Sequence, residues 1–449
     1  MKFPLPANTI PRIELSDADE AAIAATAEEL VKQTVAQYHE HLTRFKGVVD
    51  EYRWKQVKRR EDVRVYRERR SSTDDESNDF SASVSRATSS SGSSVDDDNA
   101  GGASSNNSSL MLMFGTIPGC LNDVMYGVLS PTADDMLLKS AYLEDNYLHC
   151  SVLASIMRPT PESPFRDMSV KWAVRGHPLL LGPFTRKRDA VYVESVGYAQ
   201  TPNGECIGYQ ANYSVDLPGA RELLDLNFVR AKVQYCSVFR QRTPKTVEVY
   251  SRGFIQPNGS APLYLGVAMS ADIAVSMART VHCSEMKKLT RLLRLTRREV
   301  PGLNASNATT SSNFSASNSS SSKSSTASKS ASAASESSSA VNKCALCSER
   351  IGGVISSLGG SSKGKRCRMC DRRVCSRCRV FKDVYSRVEF EELIRPVSMA
   401  FCTHCVLVAN RASAAKFAEY DALERQGEPV SRSMILDDVL PWWSFVVVV

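Results

Sequence analysis

Apolar residues recur at helical spacing through Ile23, Leu30, Val31, Val35, Tyr38, Leu42 and Phe45, which predicts a long amphipathic helix running to about residue 46. Ser16-x-x-Asp19 supplies a capping box at its start. Residues 54–66 then predict a turn followed by a strand, 110–114 a short strand, and 118–130 a helix. From 148 to about 256 the period changes to two, with Ile207, Tyr209, Ala211, Tyr213 and Val215 alternating with smaller or polar residues. Pro202-Asn203-Gly204, between that run and Val191-Tyr192-Val193, predicts a hairpin. Further strands fit 233–239 and 247–255. Residues 262–298 predict one long helix whose apolar side includes Met269, Ile273, Met277, Val281, Leu289, Leu292 and Leu293, and whose end is basic. The order (helix, strands, a long meander, a closing helix) is that of an α+β domain in which a curved antiparallel sheet wraps a helix.

Two serine-rich tracts interrupt this pattern, at 71–109 and 303–341. Neither holds enough apolar surface to offset the entropy of ordering its backbone, so both are expected to be disordered. They divide the chain into a domain at 14–302 with an insertion at 71–109, a linker at 303–341, a cysteine-rich module at 342–411 and a tail at 412–449. The tail ends in Trp442-Trp443-Ser444-Phe445 and four valines, too short to cross a bilayer; core docking and contact with a membrane interface both stay open for it. The N-terminus has no apolar signal-peptide core and no stretch of about 20 apolar residues occurs, so a cytoplasmic location is expected.

Particular residues carry a resemblance over roughly 14–300. The Trp54…Val63-Arg64-Val65-Tyr66 segment, and Pro183-Phe184-Thr185-Arg186-Lys187-Arg188-Asp189-Ala190-Val191-Tyr192-Val193, are similar to stretches of the START lipid-binding family. The resemblance implies a helix-grip fold, with 71–109 inserted between the first two strands. It also implies a tunnel between sheet and C-terminal helix that encloses one hydrophobic, lipid-like ligand. A curved sheet lined by alternating apolar residues leaves such a cavity when facing side chains do not fill it. Tyr209, Tyr213 and Tyr235 either line that cavity or pack a solid core. Arg188 and Asp189 either meet a ligand head group or form a structural ion pair.

The charge of +7 and pI near 8.7 are mildly basic, and the thirteen cysteines say more. Eight form four Cys-x-x-Cys pairs separated by 19, 4 and 23 residues: Cys344 and Cys347, Cys367 and Cys370, Cys375 and Cys378, Cys402 and Cys405. A pair of thiolates two residues apart supplies half of a tetrahedral zinc site, so four pairs predict two Zn2+ ions rather than a disulfide framework. The run from Cys367 to Cys378 resembles the core of FYVE-type fingers. That family's interleaving implies one ion on Cys344, Cys347, Cys375 and Cys378 and the other on Cys367, Cys370, Cys402 and Cys405, a small cross-brace two-zinc finger. A RING finger is the rival, although it usually carries a histidine ligand; His404 is expected to be a bystander. Ile351, Val354 and Ile355 are expected in a strand core, with a membrane-inserting loop around Leu358 as the alternative.

The FYVE resemblance also implies recognition of phosphatidylinositol 3-phosphate on endosomal membranes. The family's tryptophan motif before the first cysteine is missing, its paired histidines are replaced by Lys365 and Arg366, and the arginine before its last pair by Ala400-Phe401. Lys363 and Arg368 fall on basic family positions. Together Lys363, Lys365, Arg366 and Arg368 are the candidate lipid head-group contacts. Basic residues near an anionic surface attract it at about 1 kcal/mol each. Anionic membrane lipid is therefore the first expected partner of the finger, protein the second, and nucleic acid the last. The six histidines are scattered and no nucleophile elbow, phosphate loop or paired carboxylate stands out, so no catalysis is expected. The expected function is non-enzymatic lipid binding at the surface of endosomal membranes, and the alternative is a protein-interaction scaffold or ubiquitin-ligase finger.

Overall fold

The computed structural model describes residues 3, 5–6, 9–69, 109–176, 186–259, 262–297, 343–351, 366–388 and 391–443. The two serine-rich tracts fall almost wholly outside these residues. The chain divides into two compact units: Met1–Lys288 with Tyr385–Pro396 and Ala412–Asp438, and Leu289–Val384 with Val397–Arg411 and Val439–Val449.

The first helix, α1 (Asp17–Thr43), begins as its sequence predicts: the Ser16 hydroxyl accepts from the Asp19 N–H at 3.2 Å and the Asp19 carboxylate accepts from the Ser16 N–H at 3.3 Å. Ile23, Leu30, Val31, Val35 and Tyr38 share its buried face. They pack against one face of a sheet built from β1 (Trp54–Arg60), β2 (Val63–Glu68), β3 (Met111–Pro118), β4 (Tyr147–Met157), β5 (Asp167–Arg175), β6 (Lys187–Gln200), β7 (Cys206–Ser214), β8 (Phe228–Arg230), β9 (Lys232–Thr243) and β10 (Thr246–Gln256). The strand order is β1-β2-β3-β10-β9-β7-β6-β5-β4, with the short β8 beside β6. Apart from that parallel pair, every described pairing in this sheet is antiparallel. Residues 54–66 thus form a hairpin rather than a turn and one strand, with Glu61 at φ 53° in its bend. The serine-rich insertion accordingly joins β2 to β3.

The apolar stripe read from the sequence faces α1: Ile207, Ala211 and Tyr213 lie in the same core as Val191, Val193, Val238 and Trp172. Each large side chain buried there stabilises the fold by about 1.5–3 kcal/mol. Tyr213 donates its hydroxyl to the Ile23 carbonyl at 2.6 Å, which ties the sheet to the helix. The opposite face is covered by α2 (Leu121–Val128) and α4 (Leu263–Ser276). An additional helix, α3 (Ala133–Leu143), was not predicted; Thr132 caps it and it closes on Glu144 in a left-handed conformation.

The predicted single helix at 262–298 is broken. After α4 comes a 3-10 turn at Met277–Arg279, then α5 (Thr280–Arg297). Ser276 and Thr280 donate their hydroxyls to the carbonyls of Ile273 and Met277, offering the backbone local alternatives to a continuous helix. At this break α2 makes its closest approach: a Cβ on Gly127 would stand 2.0 Å from the Thr280 carbonyl oxygen. Backbone cannot retreat as a flexible side chain does. Gly127→Ala is therefore expected to lower stability by about 1–3 kcal/mol, read as a shifted urea midpoint at unchanged slope; an unmoved midpoint would refute the close-packing role.

Of the tail at 412–449, residues 444–449, with Phe445 and the four valines, lie outside the described residues. Residues Ala412–Asp438 belong to the first unit, where α7 (Ala414–Arg425) packs on α2 and the Tyr126 hydroxyl donates to Asp421 at 2.7 Å. The remaining helices are α6 (Thr403–Arg411) and α8 (Arg432–Trp443). Among the described residues no helix is long and apolar enough to cross a membrane.

Candidate functional site

The cysteine-rich unit is built on two matching turns. Cys344 and Cys367 each open a tight turn in which their carbonyls accept from the N–H groups of Ser348 (2.9 Å) and Asp371 (2.9 Å). Their own N–H groups donate to Glu349 and Arg372. Ser348 and Asp371, just after the second cysteine of each pair, adopt positive φ values of 57° and 55°. Single antiparallel bridges, Lys343 with Arg350 and Arg366 with Arg373, flank the turns. This curl aims both sulfurs of each pair to one side. Cys402 ends β12 (Glu391–Cys402), which pairs with β11 (Arg379–Val388), and Cys405 lies in the first turn of α6.

These elements gather Cys344, Cys347, Cys375 and Cys378 into one group and Cys367, Cys370, Cys402 and Cys405 into another, with all ligand atoms of a group within 4.8 Å of one another. Four sulfurs about 2.3 Å from a tetrahedral zinc ion stand about 3.8 Å apart. The Cys347–Cys375 and Cys370–Cys402 sulfurs are separated by 3.6 and 3.9 Å. Backbone N–H groups of Cys375 and Cys405 point at the sulfurs of Cys344 and Cys402 at 3.3 Å, as donors that favour thiolates. The donor sets thus fit two metal ions, each closed by four thiolates and with no position for a catalytic water. His404 is in neither group.

The basic candidates fare unevenly. Lys363 and Lys365 lie outside the described residues, as do Val354, Ile355 and Leu358, and Ile351 is half-buried but in no strand. Arg368 is exposed, and so is Arg366, whose guanidinium binds the carbonyl (2.8 Å) and carboxylate (2.9 Å) of Asp371.

In the first unit, two adjoining cavities of about 30 and 50 Å3 lie between the sheet and α4, sharing Tyr235, Ile255 and Ile273 as walls. The first is apolar, with Met111, Met113 and Met277 on it. The second is ringed by Tyr147, Arg175, Arg188, Tyr192 and Asn212. Of the three tyrosines in question, Tyr235 lines both cavities, whereas Tyr213 is core and Tyr209 packs against that core. Arg188 and Asp189 do not pair. Arg188 donates to the carbonyls of Pro257 (3.2 Å) and Arg186 (2.6 Å), while Asp189 accepts from Arg230 (2.9 Å) and the Trp172 indole (2.9 Å). Neighbours in a strand point to opposite faces, which separates the two charges.

The sheet face opposite α1 also carries a buried charge cluster, beside the cavities and not on their walls. Lys171, fully buried, bonds Glu194 and the Ser130 carbonyl (2.7 Å). Lys139 donates to the other Glu194 oxygen at 2.7 Å and to the Val128 carbonyl, and Gln210 adds a third bond to Glu194 at 2.6 Å. Burial alone would raise the Glu194 carboxyl, but the ammonium groups of Lys139 and Lys171 outweigh it and hold the group well below the usual carboxylate range. Burial pushes Asp167 up to about 6 against the pull of Lys171. None of these residues was singled out from the sequence. The available signal was a charge set within apolar strands, as in Val170-Lys171-Trp172 and Val193-Glu194-Ser195-Val196.

No family model and no curated protein matches this chain. Among solved structures, human STARD10 is 14% identical over 64% of this chain and 90% of its own, with a TM-score of 0.34. Human StAR-related lipid transfer protein 5 is 12% identical over 58% and 99%, with a TM-score of 0.35. A STAR-related lipid transfer protein fragment from Xanthomonas axonopodis is 14% identical over 51% and 98%, with a TM-score of 0.31. At such likeness the fold assignment rests on the strand order and helix placement themselves.

Proposed function

We propose that this protein is a non-enzymatic lipid binder that holds one hydrophobic molecule between its sheet and α4, and whose two-zinc finger contacts anionic membrane. The cavity pair carries this reading: an apolar end joined to a ring of polar groups, between a sheet and a covering helix, is the usual form of a small-molecule site. The thiolate groups support zinc as a structural element, because saturated tetrathiolate coordination shapes a module and leaves no metal position for substrate. Exposed Arg368, with Lys363 and Lys365 beside it in sequence, supports contact with anionic lipid, and phosphatidylinositol 3-phosphate on endosomes is the specific form we propose.

Native mass spectrometry of the full-length protein tests both halves together. Two zinc ions and a lipid-sized adduct are expected per chain, and flotation with phosphatidylinositol 3-phosphate vesicles is expected to fall at least several-fold in a Lys365→Ala/Arg366→Ala variant. A protein that acquires no lipid from membrane extracts would sink the cavity reading. Unchanged flotation would remove the finger from membrane contact.

A further inference from the structure

Asn212 sits in β7, in the middle of the sheet, 1% exposed and lining the larger cavity. Both its amide nitrogen and its amide oxygen are buried with no hydrogen-bond partner among the described residues. Buried side-chain polar atoms nearly always have a partner, so one side chain with donor and acceptor both unmet, facing a cavity, marks a place where a bound molecule completes the pairing.

The surroundings explain why the protein does not complete it. Across the strands Asn212 stands opposite Glu194 and Tyr235. The Glu194 oxygens already accept from Lys139, Lys171, Ser130 and Gln210, and so offer nothing to the amide. The nearby hydroxyls of Tyr147 and Tyr192 face one another at 3.4 Å.

An amide needs both an acceptor for its N–H and a donor for its oxygen. An ionised carboxylate or phosphate accepts only, and an ester does the same, so each leaves the Asn212 oxygen orphaned. Of the cations near it, Lys139 and Lys171 are engaged by Glu194 and Arg175 by Asp145 at 3.3 Å, while Arg188 on the cavity ring is held by the carbonyls of Pro257 and Arg186. A carboxylate drawn to Arg188 would still leave the Asn212 oxygen without a donor. An uncharged group carrying donor and acceptor together, a hydroxyl or a secondary amide, meets both halves at once.

We infer that the cavity selects an amphiphile whose uncharged hydroxyl or amide group hydrogen-bonds to Asn212, with the hydrocarbon part against Met111, Met113 and Met277. This rests on the lipid-binding reading and narrows it to a ligand class.

Four radiolabelled probes with one hydrocarbon chain decide the matter when retained by full-length protein on gel filtration: monooleoylglycerol, N-methyloleamide, oleate and methyl oleate. The hydroxyl or the amide probe is expected to bind at least tenfold more tightly than oleate and methyl oleate, and whichever of the two leads identifies the source of the group. Asn212→Leu, similar in size but without polar atoms, is expected to abolish that preference while methyl oleate binds as before. Equal retention of all four, or a preference that survives Asn212→Leu, overturns the assignment and leaves lipid binding standing. Retention of none overturns both. The wild-type comparison alone is decisive should the variant fail to fold.

Discussion

Chelating metal from the full-length protein is expected to unfold the cysteine-rich unit and leave the sheet unit folded. From Lys343 to Arg411 the described residues of that unit bury six large apolar side chains beside the cysteines themselves: Met369, Val374, Val384, Met399, Phe401 and Val408. So small a core cannot offset the entropy of ordering its chain. Structural zinc contributes on the order of 10–16 kcal/mol to small fingers, which dominates any other term available there. Hydrogen exchange should report it directly: the turn amides of Ser348, Asp371 and Cys405 lose protection on chelation, while those of β5, β6 and β7 keep theirs. Grouping is tested by single substitutions. Cys344→Ser and Cys375→Ser should each lose the same ion and cost no more together than apart, because they share one site. Protected turn amides in chelator, or a protein with no bound zinc, would end the two-metal account.

The sequence made the elements more legible than their faces. Period-two spacing located the long strands of the meander, and the capping box located the start of α1, since both are local signals. The hairpin at 54–68 and the broken helix at 263–297 were missed because their causes are not periodic. One is a bend through a left-handed Glu61, the other a pair of hydroxyls and a crossing at Gly127. The four Cys-x-x-Cys pairs gave the thiolates because spacing two apart is itself the chemistry of the site. Their grouping came only from resemblance, since 19, 4 and 23 intervening residues leave several partitions open. The cavity was the least legible part. Ile207, Tyr209, Ala211 and Tyr213 stood out as apolar, with cavity and core both open to the tyrosines, and they pack the core toward α1. Their silent neighbours Gln210 and Asn212 face inward, and a polar residue in a half-buried strand reads as solvent-facing until a second layer is known to cover it.

Glu194→Gln is expected to destabilise the first unit by about 3–5 kcal/mol, because it leaves the ammonium groups of Lys139 and Lys171 buried without a full counter-charge. The carboxylate itself is not the source of stability so much as the partner whose removal is costly. Replacing Glu194, Lys139 and Lys171 together by apolar residues of similar volume should therefore recover most of the loss, an outcome a simple salt-bridge count does not give. The pH dependence carries separate signatures. The Glu194 carboxyl titrates below its ordinary value, so its contribution is complete above about pH 4.5 and disappears as acid protonates the folded state. Asp167 runs the other way: with its folded value raised to about 6, the native state binds the extra proton, and stability falls as pH rises from about 4 to 6. Urea midpoints across this range should show that decline in the wild type and lose it in Asp167→Asn. A Glu194→Gln protein as stable as wild type, with the same pH profile, would mean that the two lysines reach water in solution and that the charge cluster is not buried.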